Sequence, residues 1–248
     1  MNTMIETLVG YSQKRANGND VLRAMMSHRG WFVPIGLFAL SGEPKRKVES
    51  MLMLSAENLV PPGELWIFTD EASARLAADK GFSVGTYAGG MAGTELFQIT
   101  EPGLQTVYIN LGSPPERTWM FQEGSASTVG RLWAEAIALE EKFVEWQQTG
   151  KPDKTAIMNY RAFILFDHVS GPIITLPNMG GLANPAAAFT TPDCVQKFFY
   201  ELSDEERASI KQVEVNGQRL LQLSSLGIDG FLFNFFGPGA SYALRFEQ

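Results

Sequence analysis

Short apolar runs alternate along this chain with stretches of helical spacing. Apolar runs rich in aromatic and β-branched residues predict strands at Trp31 to Leu40, Val48 to Leu54, Leu65 to Phe68, Glu95 to Thr100, Thr106 to Leu111 and Thr118 to Phe121. In the second half, Val213 to Val215 and Gln218 to Leu223 flank Asn216-Gly217, the dipeptide preferred in a tight hairpin turn, and Tyr242 to Phe246 forms a last strand. Residues 4 to 28 read as helical. Asn19 or Asp20 caps a second short helix that carries Val21, Leu22, Met25 and Met26, and Gly30 ends it. Asp70 is placed to cap a helix over Ala72 to Asp79, which Gly81 stops. Thr191 and Pro192 make the same kind of start further on. Leu132, Ala136, Leu139, Phe143 and Trp146 recur at intervals of three or four, so Ser127 to Gln148 predicts an amphipathic helix of about six turns.

These elements come in two similar series. Leu65-Trp66-Ile67-Phe68-Thr69-Asp70 runs into a helix, and Val107-Tyr108-Ile109-Asn110-Leu111-Gly112-Ser113-Pro114 follows. Ala187-Ala188-Phe189-Thr190-Thr191-Pro192 runs into a helix, and Phe231-Leu232-Phe233-Asn234-Phe235-Phe236-Gly237-Pro238 follows. Phe68 lies 121 residues before Phe189, and Asn110 lies 124 before Asn234. A net insertion of three residues reconciles the two offsets. The expected fold is α/β (α+β): two similar units, each a mixed β-sheet flanked by helices. The first unit is expected over residues 1–124, the connecting amphipathic helix over 125–152, and the second, more divergent unit over 153–248.

Composition narrows the functional classes. The chain has 248 residues, 45% of them apolar and 19% charged, which suits a globular protein with a substantial core. A net charge of −7 argues against non-specific nucleic-acid binding, which depends on Lys and Arg neutralising phosphates. It also argues against an anionic membrane surface. The one basic run, Lys45-Arg46-Lys47, follows Gly42 and Pro44, which punctuate it, and reads as a solvated loop. Cys194 is the single cysteine, so no intrachain disulfide forms. With no secretory pattern in Met1 to Gly10, the expected location is the cytoplasm.

The order Leu22 to Pro34, then Phe68-Thr69-Asp70-Glu71, then Ile109-Asn110-Leu111-Gly112 resembles the N-terminal domain of the SseB family, named for enhanced serine sensitivity. Leu111 stands at the family's proline position. The match covers about residues 20 to 121, and a fainter one covers the second series, where one extra residue precedes Gly237. The resemblance implies an α/β domain with no established enzymatic activity.

Candidate chemistry is sparse. His28 and His168 are the only histidines. His28 reads as a cation at a helix C-terminus, and Asp167-His168 as part of a turn. Cys194, in a first helical turn, reads as core packing rather than a nucleophile. The glycine-rich Gly85 to Gly93 lacks the Gly-Lys-Ser/Thr ending of a phosphate loop and reads as a connection between helix and strand. Asn178-Met179-Gly180-Gly181 reads similarly. Ser203 and Glu206 form a capping box. Asn110 and Asn234 are the candidate ligand-binding residues. Each ends an apolar strand, and each reads either as an Asx turn or as an amide facing a ligand. No catalytic or metal set and no cofactor is expected. The leading expectation is a non-catalytic protein that contacts an unidentified protein partner, not nucleic acid or membrane. The alternative is a sensor for an amino acid or nucleotide, with a pocket between the units lined by Asn110 and Asn234. An enzyme is the third reading.

Overall fold

A computed structural model describes residues 3–35, 64–81, 86–98, 105–122, 126–169, 171 and 173–246. The predicted strand Val48 to Leu54, the run Lys45 to Lys47, and the turns at Asn58 to Gly63 and Glu101 to Gly103 lie outside the described residues. The chain divides into two compact units, Met1–Ala134 and Glu135–Gln248.

The first unit opens with helices α1 (Thr3–Ser12) and α2 (Gly18–Ser27). Asn17, rather than Asn19 or Asp20, caps α2. Its side chain accepts the N–H groups of Asn19 and Asp20, while the Asp20 carboxylate accepts the Asn17 N–H at 2.7 Å. This reciprocal pairing satisfies donors that the helix start leaves open. It also frees Val21, Leu22, Met25 and Met26 to fill one buried face. Strand β1 (Trp31–Ile35) follows, then β2 (Glu64–Ile67), α3 (Glu71–Asp79), β3 (Thr86–Met91), α4 (Gly93–Gln98), β4 (Thr106–Ile109) and β5 (Trp119–Gln122). β2 pairs parallel with β4, and β4 pairs antiparallel with β5, giving a mixed sheet. β1 pairs antiparallel with β3, and a bridge between Phe32 and Phe68 joins β1 to β2. The strand order is therefore β3-β1-β2-β4-β5.

The second unit contains α6 (Lys154–Asn159), β6 (Phe163–His168), β7 (Ala186–Ala188), α7 (Pro192–Tyr200), α8 (Asp204–Ala208), β8 (Ile210–Val215), α9 (Gly217–Gln222), β9 (Gly230–Phe233) and β10 (Tyr242–Arg245), all after α5 (Ala126–Thr149). β7 pairs parallel with β9, β9 antiparallel with β10, and β6 antiparallel with β8. A bridge between Ile164 and Phe189 joins β6 to β7. The order β8-β6-β7-β9-β10 repeats that of the first unit, strand for strand. Phe68 and Phe189 each make the bridging contact, and Asn110 and Asn234 each follow the central parallel strand.

The division between units falls within α5. In the first unit, Gly130 of α5 lies against the Phe97 ring: a Cβ there would sit 2.6 Å from Phe97 Cδ1. Trp133 carries the Arg23 guanidinium 5.8 Å above its ring. In the second unit, Ala136, Leu139, Phe143 and Trp146 enter a core shared with Phe163, Leu165, Phe231, Phe233 and Leu244. The Phe143 ring stacks on Phe233 at 4.9 Å and on Tyr242 at 5.6 Å. Leu132, expected on the buried stripe, is exposed, and its neighbour Trp133 is buried instead.

Four predicted elements take other forms, because tertiary contacts override the local pattern. Residues 93–98 are helical, not a strand: Leu96 and Phe97, adjacent in sequence, are both fully buried. The hairpin expected at Asn216-Gly217 is a helix start. Asn216 caps α9 by accepting the Arg219 N–H at 2.8 Å, and Gly217 is its first residue. The glycine-rich stretch contributes β3, whose Gly89 lets the strand cross the Phe32 ring; a Cβ there would come within 2.6 Å of it. Asp167 and His168 end β6 rather than forming a turn.

Candidate functional site

Each unit builds the same junction where its central parallel strands end. In the first, Asn110 N–H donates to the Ile67 carbonyl at 2.9 Å, extending the β2–β4 ladder by one residue. The chain then turns, because Asn110 adopts a left-handed φ of 54°. Asparagine tolerates that region better than most residues. The turn aims its side chain back across the sheet end. Asn110 Oδ1 accepts the Thr69 N–H at 2.8 Å, and Nδ2 donates to Thr69 Oγ1 and to the Arg117 carbonyl, each at 3.0 Å.

The second junction reproduces this bond by bond. Asn234 N–H donates to the Ala188 carbonyl at 2.9 Å, and its φ is 50°. Asn234 Oδ1 accepts the Thr190 N–H at 3.0 Å; Nδ2 donates to Thr190 Oγ1 at 3.0 Å and to the Ala240 carbonyl at 3.2 Å. Both asparagines are fully buried. The bonds to threonine reach across 41 and 44 residues, so neither side chain forms a local Asx turn. Nor does either present its amide to solvent. Each one ties the strand that precedes a helix to the strand that returns from it.

The threonine hydroxyls need acceptors, and the two units supply them differently. Thr69 Oγ1 donates to the next residue, Asp70, at 3.1 Å. Asp70 also caps α3 by accepting the Ser73 N–H at 2.7 Å. The second unit has Thr191 at the position of Asp70. Its carboxylate comes instead from Glu140 of α5, which accepts from Thr190 Oγ1 at 2.6 Å and from Asn234 Nδ2 at 3.1 Å. Glu140 is buried, and Gly239 passes so close that a Cβ there would lie 2.5 Å from its Oε1.

A helix C-cap closes each junction from the other side. His28 ends α2, and its Nε2–H donates to the Thr69 carbonyl at 3.2 Å, which assigns the proton to that nitrogen. Burial lowers its pKa from the ordinary histidine value, against the raising effects of the Thr69 and Gly30 backbones and of Asp70. Its environment therefore favours the neutral imidazole over the helix-end cation that its position suggests. Its ring packs edge-on to Trp31 at 4.6 Å. Tyr160 ends α6 and donates its hydroxyl to the Thr190 carbonyl at 2.7 Å. Burial, reinforced by the nearby Glu140, raises its pKa and keeps it protonated. Behind each cap stands a glycine: Gly93 N–H donates to the His28 carbonyl at 2.7 Å, and Gly217 N–H to the Tyr160 carbonyl at 2.8 Å.

The turns after the asparagines differ in one respect. Ser113 N–H returns to the Asn110 carbonyl and Gly237 N–H to the Asn234 carbonyl, both at 2.9 Å, so both turns span four residues. The residue that precedes Gly237 in excess of the first series therefore does not lengthen the turn: Gly237 stands at the position of Ser113, not of Gly112. Gly112 and Phe236 hold the same third position, with φ of 86° and 64°. Glycine suits that conformation, whereas for a bulky residue it is an outlier. Phe236 is 50% exposed and packs only partly on Phe235, with ring centroids 4.2 Å apart.

Cys194 is buried in the first turn of α7, accepting from Thr191 Oγ1 at 3.2 Å. Gly237 crosses directly over it. Ser203 and Glu206 form their capping box. Asn178, Gly180 and Gly181 all take left-handed φ in a turn whose Gly180 lies against Leu232. Sequence reasoning missed Glu140, Tyr160 and the threonines as junction residues. Two signals were present: the Phe-Thr pair in both series, and the placement of Glu140 between Ala136 and Phe143 on the apolar face of α5. Among the described residues no group of three His, Cys, Asp or Glu side chains is placed to hold a metal ion, and no helix is long and apolar enough to cross a membrane. The chain matches no protein-family model, no curated protein and no solved structure.

Proposed function

We propose that this chain is a non-catalytic, SseB-type protein, built from a duplicated unit, that acts in the cytoplasm by binding a partner protein through the turn between β9 and β10. The observation that carries this reading is Phe236. A half-exposed aromatic occupies a left-handed position that the other unit fills with glycine. The left-handed backbone costs a residue other than glycine about 1–2 kcal/mol. Such strain concentrates where a side chain serves recognition, and aromatic anchors dominate binding energy at interfaces. The duplication draws support from the shared strand order and from the matching Asn–Thr bonds.

The polar groups of the junctions support a structural rather than a chemical role. His28, Tyr160, Asn110, Asn234 and Glu140 all hold neighbouring groups of the protein itself. Burial of both asparagines also weighs against a small ligand read through Asn110 and Asn234.

The test uses Phe236→Gly and Phe235→Ala in affinity purification from the native host. Phe236→Gly relieves the backbone, so its thermal stability should equal or exceed that of the parent. A partner recovered with the parent chain should be lost with Phe236→Gly. Retention of that partner by the variant, or no specific partner for the parent, would overturn the proposal.

A further inference from the structure

The chain contains two Asn-Gly pairs, and both cap helices: Asn17-Gly18 at α2 and Asn216-Gly217 at α9. Asn-Gly is the dipeptide most prone to spontaneous deamidation, because glycine offers no side chain to hinder attack by its own backbone nitrogen. Both asparagines are exposed, and both side-chain oxygens accept N–H groups further along their helices. The nucleophiles differ. Gly217 is buried, its N–H is bonded to the Tyr160 carbonyl at 2.8 Å, and a Cβ on it would lie 1.6 Å from the Ile157 carbonyl oxygen. Its nitrogen cannot swing toward Asn216 Cγ without tearing α9 from α6. Gly18 has open space around it, with nothing within 4 Å of the position a Cβ would take. As the first helical residue it has no intrahelical acceptor for its N–H.

We infer that Asn17 is a spontaneous deamidation site of the folded chain, while the fold withholds Asn216 until the second unit opens. In the reaction the deprotonated Gly18 nitrogen attacks Asn17 Cγ. The Cγ–Nδ2 bond breaks, and ammonia leaves with the proton. Water then opens the cyclic imide: cleavage of the Cγ–N bond gives aspartate, and cleavage at the main-chain carbonyl gives isoaspartate. The oxidation state does not change. Aspartate at position 17 preserves the cap, since a carboxylate accepts the same N–H groups and suits the helix start. Isoaspartate lengthens the backbone by one carbon and breaks the reciprocal bond between the Asn17 N–H and Asp20. At position 216 the same lengthening would drive Gly217 into Ile157.

The test ages the full chain at mildly alkaline pH, natively and in urea, and follows both sites by peptide mass. Isoaspartate is read independently by methylation with a protein isoaspartyl methyltransferase and S-adenosylmethionine. In the native protein, conversion at Asn17 should exceed that at Asn216 by at least about tenfold, the least expected where one site needs an opening worth more than 1.4 kcal/mol. In urea the two rates should converge, since both pairs are then unhindered. Gly18→Ala should slow conversion at Asn17 and leave Asn216 unchanged. Equal native rates at the two sites would overturn the inference, as would a twofold or smaller acceleration of Asn216 in urea.

Discussion

Glu140 accepts the hydroxyl proton of Thr190 at 2.6 Å across 50 residues of chain, doing in the second unit what Asp70 does for Thr69 in the first. The carboxylate comes from the strand end in one unit and from a helix in the other, with the same task in both. Removing Glu140 leaves the buried Thr190 hydroxyl only Asn234 Oδ1, at 3.2 Å, as an acceptor, and takes from Asn234 Nδ2 one of its three acceptors. Glu140→Ala should therefore lower the unfolding free energy by about 1.5–3 kcal/mol, the range for hydrogen bonds to a charged group. Glu140→Gln retains an acceptor oxygen and should cost about 1 kcal/mol. Urea unfolding of the three proteins checks the order.

The asparagines make a sharper case because two physical effects separate there. Asn110→Ala removes the acceptor for the Thr69 N–H and also places alanine at a φ of 54°. Asn110→Gly removes the same acceptor but accepts the left-handed backbone. The alanine variant should be less stable than the glycine variant by about 1 kcal/mol. Asn234→Ala and Asn234→Gly should repeat the difference. Equal stabilities within each pair would mean that the backbone conformation carries no cost at these positions.

His28 gives the first junction a pH dependence on the acid side of neutrality, where Tyr160, with its pKa raised above the ordinary tyrosine value, gives the second none. Its folded pKa lies below the ordinary value of about 6.5, chiefly through burial. As pH falls through 6.5 the unfolded chain takes up a proton that the folded chain resists, so stability falls with it. The loss ends once pH has passed below the folded pKa. Above about pH 7 the contribution is complete. The groups facing His28 are the Thr69 and Gly30 backbones, the Asp70 carboxylate and the Trp31 ring. Between about pH 7.5 and pH 5, the urea midpoint of the parent should drop further than that of His28→Gln. An identical drop in both proteins would remove His28 from the account. Acidic groups common to both cancel in the comparison.

The strand-and-helix frame was legible because it depends on local chemistry. Asp70 and Ser203 cap helices as their side chains dictate, and Pro192 stands at a first helical position, where its missing N–H costs nothing. The twin series was legible because Phe-Thr and Asn recur at nearly constant offsets. What was hidden depends on contacts across the fold. Nothing near Glu95 shows that Leu96 and Phe97 will both be buried, so a short apolar run reads as a strand. Asn216-Gly217 carries the chemistry of a hairpin turn, and only the Tyr160 carbonyl, 57 residues earlier in sequence, makes it a helix start. The candidate site was half legible. Asn110 and Asn234 stood out, but their partners Thr69 and Thr190 lie 41 and 44 residues away.

Glycine substitutions separate these two kinds of information. Gly18 and Gly217 are each the first residue of a helix after an asparagine cap, so local sequence treats them alike. Neither has a left-handed φ, so alanine is conformationally acceptable at both. Gly18→Ala adds a methyl group to open space and restricts the unfolded chain; it should raise stability by about 0.5–1 kcal/mol. Gly217→Ala places a carbon 1.6 Å from the Ile157 carbonyl oxygen, a distance no rotamer can relieve. The α6–α9 contact must part, with loss of the bond to Tyr160 and of Leu220 packing. That should cost about 3 kcal/mol, at the upper end of overpacking penalties. Gly93→Ala meets the Met25 carbonyl at 2.1 Å and should behave like Gly217→Ala. Hydrogen exchange would locate the damage: the Gly217 and Leu220 amides should lose protection in Gly217→Ala and keep it in Gly18→Ala. Matching stability changes for Gly18→Ala and Gly217→Ala would show that the cap alone governs these positions and that the glycine contact behind each junction does not.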